Sequence, residues 1–296
     1  MPIVSRFAPD DRVSVWVRHR AAETIVRALV SAVPRGVDVM PMKGTLVARA
    51  YYLDPVDRPI SDCDVLFRGA SMTVVLGALE RAGYVRGAPG RNLWTEDLVC
   101  PGVSTLTLDL HREPLPTGLG EVNTRWLFTD AARDTELFGA PVWVPTPERL
   151  VVALLGNIAK DHFYRAFAHT ALDVAQVLAT GRCEPLRVAG HARRAGVTRV
   201  AWMALESVVE RTGSADATRV QHALALGTSE KADARARLAR FRGWAEEGGG
   251  GGEVPFAARV AARLLADRAW DRARAAVAAG ISNGRAWGSA GRRRGG

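Results

Sequence analysis

Two carboxylates stand two residues apart in Ser61-Asp62-Cys63-Asp64-Val65-Leu66-Phe67. On an extended strand such residues share a face, so Asp62 and Asp64 point one way while Cys63, Val65 and Phe67 point into a core. Neighbouring carboxylates repel each other and resist burial unless a cation sits between them. An oxygen-rich pair of this kind suits Mg²⁺, which keeps waters and binds substrate phosphates. A later segment repeats the logic. In Leu106-Thr107-Leu108-Asp109-Leu110-His111 the leucines form one apolar face, and Thr107, Asp109 and His111 form the other. If the two strands lie side by side, three carboxylates converge. Three acids can hold two metal ions about 3.5–4 Å apart, an arrangement suited to in-line phosphoryl or nucleotidyl displacement.

An acidic pair alone says little, because solvated charge on an exposed strand is the default. Weight comes from agreement among independent parts. Lys43-Gly44-Thr45 precedes the pair, Tyr52-Leu53-Asp54-Pro55 and Arg58-Pro59 lie between, and Asp109-Leu110-His111 follows. With these parts the chain resembles the nucleotidyltransferases of the DNA polymerase beta superfamily. Their signature is a Gly-Ser or Gly-Gly turn, a spacer, Asp-x-Asp, and a third Asp on a later strand. Within that superfamily it is similar to the branch often called uncharacterised nucleotidyltransferases, with its Lys-Gly turn, Arg-Pro loop, Asp-x-Asp and later Asp-x-His. The resemblance is good over residues 36–115 and loose over 146–178. Thr45 stands where the superfamily usually has Ser, and the spacer from Gly44 to Asp62 is longer than in polymerases.

The resemblance implies an α+β fold: a mixed-sheet nucleotidyltransferase domain followed by an all-helical domain. It implies that Asp62, Asp64 and Asp109 ligate Mg²⁺ or Mn²⁺, with Asp109 on the acceptor side, helping to take the acceptor proton. Gly44 and Thr45 would offer backbone N–H and hydroxyl groups to nucleotide phosphates at a helix N-terminus. Lys43 and Arg58 would neutralise phosphate charge, with Ser61 also on the nucleotide side. The expected substrate is a nucleoside triphosphate, ATP by expectation. The acceptor is a hydroxyl or other nucleophile of a small molecule, peptide or protein, and pyrophosphate is released. Two other readings are an enzyme modifying RNA ends and a non-catalytic nucleotide-binding protein on the same fold.

Several of these residues have plainer readings. His111 fits an acceptor-side role and equally a strand-end surface residue. Lys43 can simply cap its turn, and Arg58 can pair with Asp54 or Asp57. Lys160 and His162 are acceptor-side candidates from the helical half, where Lys160-Asp161-His162, His169 and Asp173 favour structure over a separate metal site. Trp202, Trp244 and Trp270 fall on apolar helix faces and read as core.

The elements that must position these groups follow from periodicity. Val13, Val17, Ile25 and Leu29 mark an amphipathic helix over 11–33, and Val37–Met42 reads as a strand. After Lys43-Gly44-Thr45 a helix runs through Tyr52 and precedes a proline-bearing loop over 54–59. Ser71–Ala82 is a helix closed by Gly83, and 64–67, 93–99 and 104–111 read as strands, with Val142–Val144 as an edge strand. At Thr146-Pro147-Glu148 a capping hydroxyl, a first-turn proline and an acid start a helix. Helical periodicity then dominates, through 150–159, 163–178, 200–211 and 256–277, with a glycine run at 248–252. The expected organisation is a nucleotidyltransferase domain at 1–145, a helical domain at 146–280 and a disordered basic tail at 281–296.

Composition sets the outer bounds. At 48% hydrophobic and 24% charged, the 296 residues are composed like a globular protein. No apolar run reaches the roughly 18 residues a membrane span needs. The first residues lack an apolar segment behind a basic start, so no signal peptide is expected, and three cysteines are too few and scattered for a disulfide framework. A cytoplasmic setting is the expectation. The net charge of +9 favours polyanions, which motivates the nucleic-acid reading. Part of that excess sits in the tail, at Arg285 and Arg292 to Arg294. The tail has too little apolar content to dock. Deleting the residues after Ser282 should therefore leave turnover on a small acceptor unchanged, within the tenfold that corresponds to ~1.4 kcal/mol of barrier. A larger loss in initial rate would tie the tail to the site.

Overall fold

The computed structural model describes residues 9–87, 95–116, 119–162, 168–247 and 267. The chain divides into two compact units, Met1–Pro114 with Thr124–Thr146, and Leu115–Asn123 with Pro147–Gly296. The first unit runs α1 (Pro9–Ala32), β1 (Asp38–Pro41), α2 (Lys43–Tyr51), a 3₁₀ turn at Pro55–Asp57, β2 (Asp62–Arg68) and α3 (Met72–Arg81). It continues through β3 (Val85–Arg86), β4 (Thr95–Val99), β5 (Thr107–His111), α4 (Thr124–Phe128), β6 (Ala132–Asp134) and β7 (Val142–Val144). The architecture is α+β: a five-stranded mixed sheet with helices, followed by a helical region.

The sheet order is β1-β2-β5-β4-β3, with β2 and β5 parallel and the other neighbours antiparallel. The two acid-bearing strands are therefore direct neighbours. Their register pairs Asp62 with Thr107, Asp64 with Asp109 and Leu66 with His111. Cys63, Val65, Leu108 and Leu110 are fully buried on the opposite face. Helix α1 covers that side, with the Ala22 carbonyl 4.0 Å from Cys63 Sγ.

Helix α1 departs from the expected stripe. Val13 and Val17 are 64% and 38% exposed, whereas Val15, Ala22, Ile25, Val26 and Leu29 are buried. The reason is His19, which is 4% exposed and whose Nε2 lies 2.9 Å from the Arg58 carbonyl. A polar residue occupies the buried stripe, so an apolar count misplaces its first half, while Ile25 and Leu29 are buried as the periodicity expects. Arg12 on the same helix reaches Asp54 at 2.7 Å and Asp57 at 2.8 Å, pinning the proline-bearing loop.

Strand β7 is also corrected. It pairs with β6 in a separate two-stranded sheet and is not an edge of the main one. The β6 residues Ala132-Arg133-Asp134 have no apolar alternation and gave no signal. Trp143 Nε1 donates to Asp38 Oδ1 at 2.8 Å, and Arg68 Nε donates to Asp38 Oδ2 at 2.7 Å. The Arg68 guanidinium stacks over Phe128, 4.3 Å from its ring centroid, a cation–π contact.

The second unit holds α5 (Pro147–Asn157), a π-helical turn at Ile158–His162, α6 (Ala168–Ala179), α7 (Pro185–Arg194), α8 (Thr198–Thr212), α9 (Ala215–Ala223) and α10 (Thr228–Glu247). Leu155, Val174, Val177, Val188, Met203, Leu205 and Val208 build its core, and Trp202 is 2% exposed within it. The segment 115–123 belongs here through chain contacts that sequence periodicity does not carry: Glu121 N–H donates to the Ala195 carbonyl at 2.8 Å. The glycine run at 248–252, the helix expected over 256–277, the side chains of Trp244 and Trp270, and the tail at 281–296 lie outside the described residues. No helix among the described residues is long and apolar enough to cross a membrane.

Strand β2, which carries Asp62 and Asp64, is followed directly by Gly69, whose φ is +98°. A Cβ there would collide with the Gly36 carbonyl oxygen. Gly69→Ala should therefore destabilise the protein by about 2 kcal/mol or more, from backbone strain plus the clash. Urea unfolding checks this, and a change under about 0.5 kcal/mol would contradict it.

Candidate active site

The site begins at a tight junction. Only Met42 separates β1 from α2. Its N–H donates to the Asp64 carbonyl at 3.0 Å, and its own carbonyl accepts from Leu46 N–H at 3.1 Å. The chain thus passes from strand ladder to helix within one residue. Lys43 absorbs the turn with φ +46°, a left-handed conformation that costs a side-chain-bearing residue free energy. The strain has a visible correlate: Lys43 Nζ lies 2.5 Å from Asp64 Oδ1.

Asp64 is 3% exposed and is the centre of the cluster. Its Oδ1 also meets His111 Nε2 at 2.9 Å, and the same nitrogen is 2.9 Å from Asp109 Oδ2. The imidazole therefore bridges the two carboxylates, with Nε2 as the donor in either charge state that carries a proton there. His111 is 1% exposed, which overturns the strand-end surface reading. Its Nδ1 and Asp109 Oδ1 are buried without a hydrogen-bond partner. Asp64, Asp109 and His111 offer ligand atoms that all lie within 4.8 Å of one another.

Electrostatics separates the two acids of the pair. Burial pushes the Asp64 carboxyl up, but Lys43 and His111 outweigh it and hold the group well below the usual carboxylate range. Burial also penalises the Lys43 ammonium, yet Asp64 outweighs this and holds it charged, above the usual range. Asp62 lacks such a partner. Its burial, then repulsion from Asp64 and Asp109, raise its carboxyl to about 6. Ser61, exposed, donates to Asp62 Oδ1 at 3.2 Å.

The remaining expected residues divide. The Arg58 guanidinium, from the proline-bearing loop, lies against Gly44, where an added Cβ would meet Nη2 at 2.8 Å. Thr45 turns inward, contrary to the phosphate-binding hydroxyl that the resemblance implies. It is 2% exposed, its Oγ1 accepts from Asp64 N–H at 3.3 Å, and it lies 3.4 Å from the Asp62 carbonyl. That hydroxyl ties α2 to β2. Lys160 sits on the π-helical turn of the helical unit, and the His162 side chain lies outside the described residues.

Sequence reading missed one acid. Asp97 pairs with Asp109 across β4 and β5, so it shares the face. Burial and the Asp109 charge raise its carboxyl. Thr95-Glu96-Asp97-Leu98-Val99 has no polar–apolar alternation, so only the β4–β5 pairing assigns Asp97 to that face.

Metal fit can be judged from these groups. Clustered carboxylate oxygens, one of them buried and unpartnered, with an imidazole at hand, form a donor set suited to a hard divalent cation such as Mg²⁺ or Mn²⁺. The sequence model of a family described as uncharacterised nucleotidyltransferase matches residues 13–213. That span takes in the whole main sheet and the helices through α8, well beyond the segments whose motifs are readable. No curated protein matches the chain.

The raised Asp62 carboxyl fixes a pH window. With a folded value of about 6 and an unfolded value near 3.9, the folded state holds this proton more tightly. The contribution is fully present below the unfolded value and is lost as pH rises through 6. Between pH 5 and 7, metal-free wild type should lose thermal stability with rising pH relative to Asp62→Asn, and saturating Mg²⁺ should reduce the difference. Parallel melting-temperature profiles for the two proteins would contradict this.

Proposed function

The chain belongs to the uncharacterised nucleotidyltransferase family and is a nucleotidyltransferase, and on that premise we propose that it transfers a nucleoside monophosphate from ATP, or another NTP, to an acceptor nucleophile at the Asp62–Asp64–Asp109 face. The observation that carries this reading is the parallel register that sets Asp64 beside Asp109, with Asp62 one pleat away on the same strand. Asp62, Asp64 and Asp109 would hold Mg²⁺ or Mn²⁺, which supplies charge neutralisation for the phosphates and acidifies the acceptor hydroxyl when bound.

This chain's own groups do the rest. Lys43 and the Arg58 guanidinium over Gly44 supply positive charge at the start of α2, where helix N–H groups favour anions. Asp109 faces the acceptor and takes its proton as the acceptor oxygen bonds to the α-phosphorus. The α–β phosphoanhydride bond breaks in the same displacement, and pyrophosphate leaves. His111 orients the Asp64 and Asp109 carboxylates through Nε2. Thr45 acts on β2 and not on phosphate. The acceptor is a hydroxyl or other nucleophile of a small molecule, peptide or protein. The +9 charge favours an RNA end as the second reading, and binding that weakens steeply with salt is its test.

Screening the four NTPs by thermal shift, with and without Mg²⁺, identifies the nucleotide, because a ligand bound to the folded state raises the melting temperature. Asp109→Ala should then lose turnover by a factor of 10³ or more, about 4 kcal/mol of barrier. It should still bind Mg²⁺–NTP within about tenfold of wild type, because the proton transfer it serves belongs to the transition state. A mutant that turns over normally would refute the three-carboxylate mechanism.

A further inference from the structure

The carboxylate face carries a cation of its own. Lys43 Nζ approaches Asp64 Oδ1 at 2.5 Å, and its side chain is only 21% exposed. His111 Nε2 reaches the same oxygen at 2.9 Å, so this carboxylate oxygen already has two donors. Asp109 differs: its Oδ2 meets His111, and its Oδ1 is buried with no hydrogen-bond partner. The ligand atoms that lie within 4.8 Å of one another come from Asp64, Asp109 and His111.

Backbone geometry keeps the ammonium in place. Met42 is locked on one side into the β1–β2 ladder by its bond to the Asp64 carbonyl, and on the other into α2 by its bond from Leu46. Lys43, between them, is held at φ +46°. A strained, non-glycine junction persists only where its surroundings over-determine it, and here the result is a lysine fixed above a buried acid.

Charge balance gives the consequence. Asp62, Asp64 and Asp109 bring three negative charges, Asp97 on β4 is exposed to solvent at the edge of the face, and Lys43 returns one positive. A single divalent ion neutralises the remainder. A second would face both a surplus of positive charge and the ammonium itself, in surroundings where like charges a few ångströms apart repel strongly. Resting on the reading that this face binds a divalent ion, we propose that Lys43 is the site's resident cation, standing in for one of two metal ions, so that the nucleotide-free site takes a single divalent ion beside Asp64 and Asp109.

The test counts bound Mn²⁺ by electron paramagnetic resonance on the full chain without nucleotide. Wild type and Lys43→Arg should each bind one ion. Lys43→Met, which keeps the side chain's bulk and removes its charge, should bind two, the first at least about tenfold more tightly. Two ions or none in wild type overturns the proposal, and so does a folded Lys43→Met protein that still binds one. If Lys43→Met does not fold, Lys43→Gln takes its place with the same expected count of two, and a folded Lys43→Gln protein that binds one ion overturns the proposal. A non-hydrolysable ATP analogue is titrated separately by calorimetry. Failure of the analogue to bind, with one Mn²⁺ still counted, would count against nucleotidyl transfer and leave the assignment of Lys43 standing.

Discussion

Asp64 and Asp109 are in register on adjacent parallel strands, and like charges at that spacing cannot both sit in a buried setting unless something answers them. Much of the first unit supplies the answer. Lys43 is driven into a left-handed conformation at the β1–α2 junction and lies over Asp64. His111 is placed one pleat further along β5, where its Nε2 meets both carboxylates. Thr45 fastens the start of α2 to the β2 backbone, so that the lysine and the acid it meets move as one piece. Asp62 is answered only in part: burial and repulsion from Asp64 outweigh the attraction of Lys43 and raise its carboxyl.

The register itself is protected from the other side of the sheet. Cys63, Val65, Leu108 and Leu110 are completely buried. A slip of one residue in β2 would exchange these groups with the acids and bury charge in the apolar layer, so the pairing is strongly specified. Packing and chemistry are thus set by one alternation pattern. Its apolar half fixes where the strands lie, and its polar half then places the carboxylates side by side. A mutation that weakens the apolar layer would also loosen the site.

The period-two alternation of Asp62 to Phe67 and of Leu106 to His111 was legible in the sequence, and so was the family whose motif it carries. The α+β class followed from the same segments, and the helix start at Thr146-Pro147 is where α5 begins. What escaped has physical reasons. His19 sits in the buried stripe of α1, where only a backbone carbonyl from a distant loop can justify a polar residue. The left-handed φ of Lys43 cannot be read from residue type, since glycine is its usual signal and Gly44 stands next to it. Thr45 carries a hydroxyl, but its inward direction depends on the β2 backbone. Asp97 became part of the acidic face only through the β4–β5 pairing, a long-range fact.

Nucleotidyl transfer at the carboxylate face is tested by following the phosphorus atoms. Purified protein is incubated with Mg²⁺ and with ATP labelled on either the α- or the γ-phosphate, in the presence of candidate acceptors. The α-label should become covalently attached to an acceptor, the γ-label should leave only in pyrophosphate, in equal amount, and chelating the metal should stop both. Covalent transfer of the γ-label, with ADP as the other product, would make the protein a phosphoryl-transfer enzyme and contradict nucleotidyl transfer.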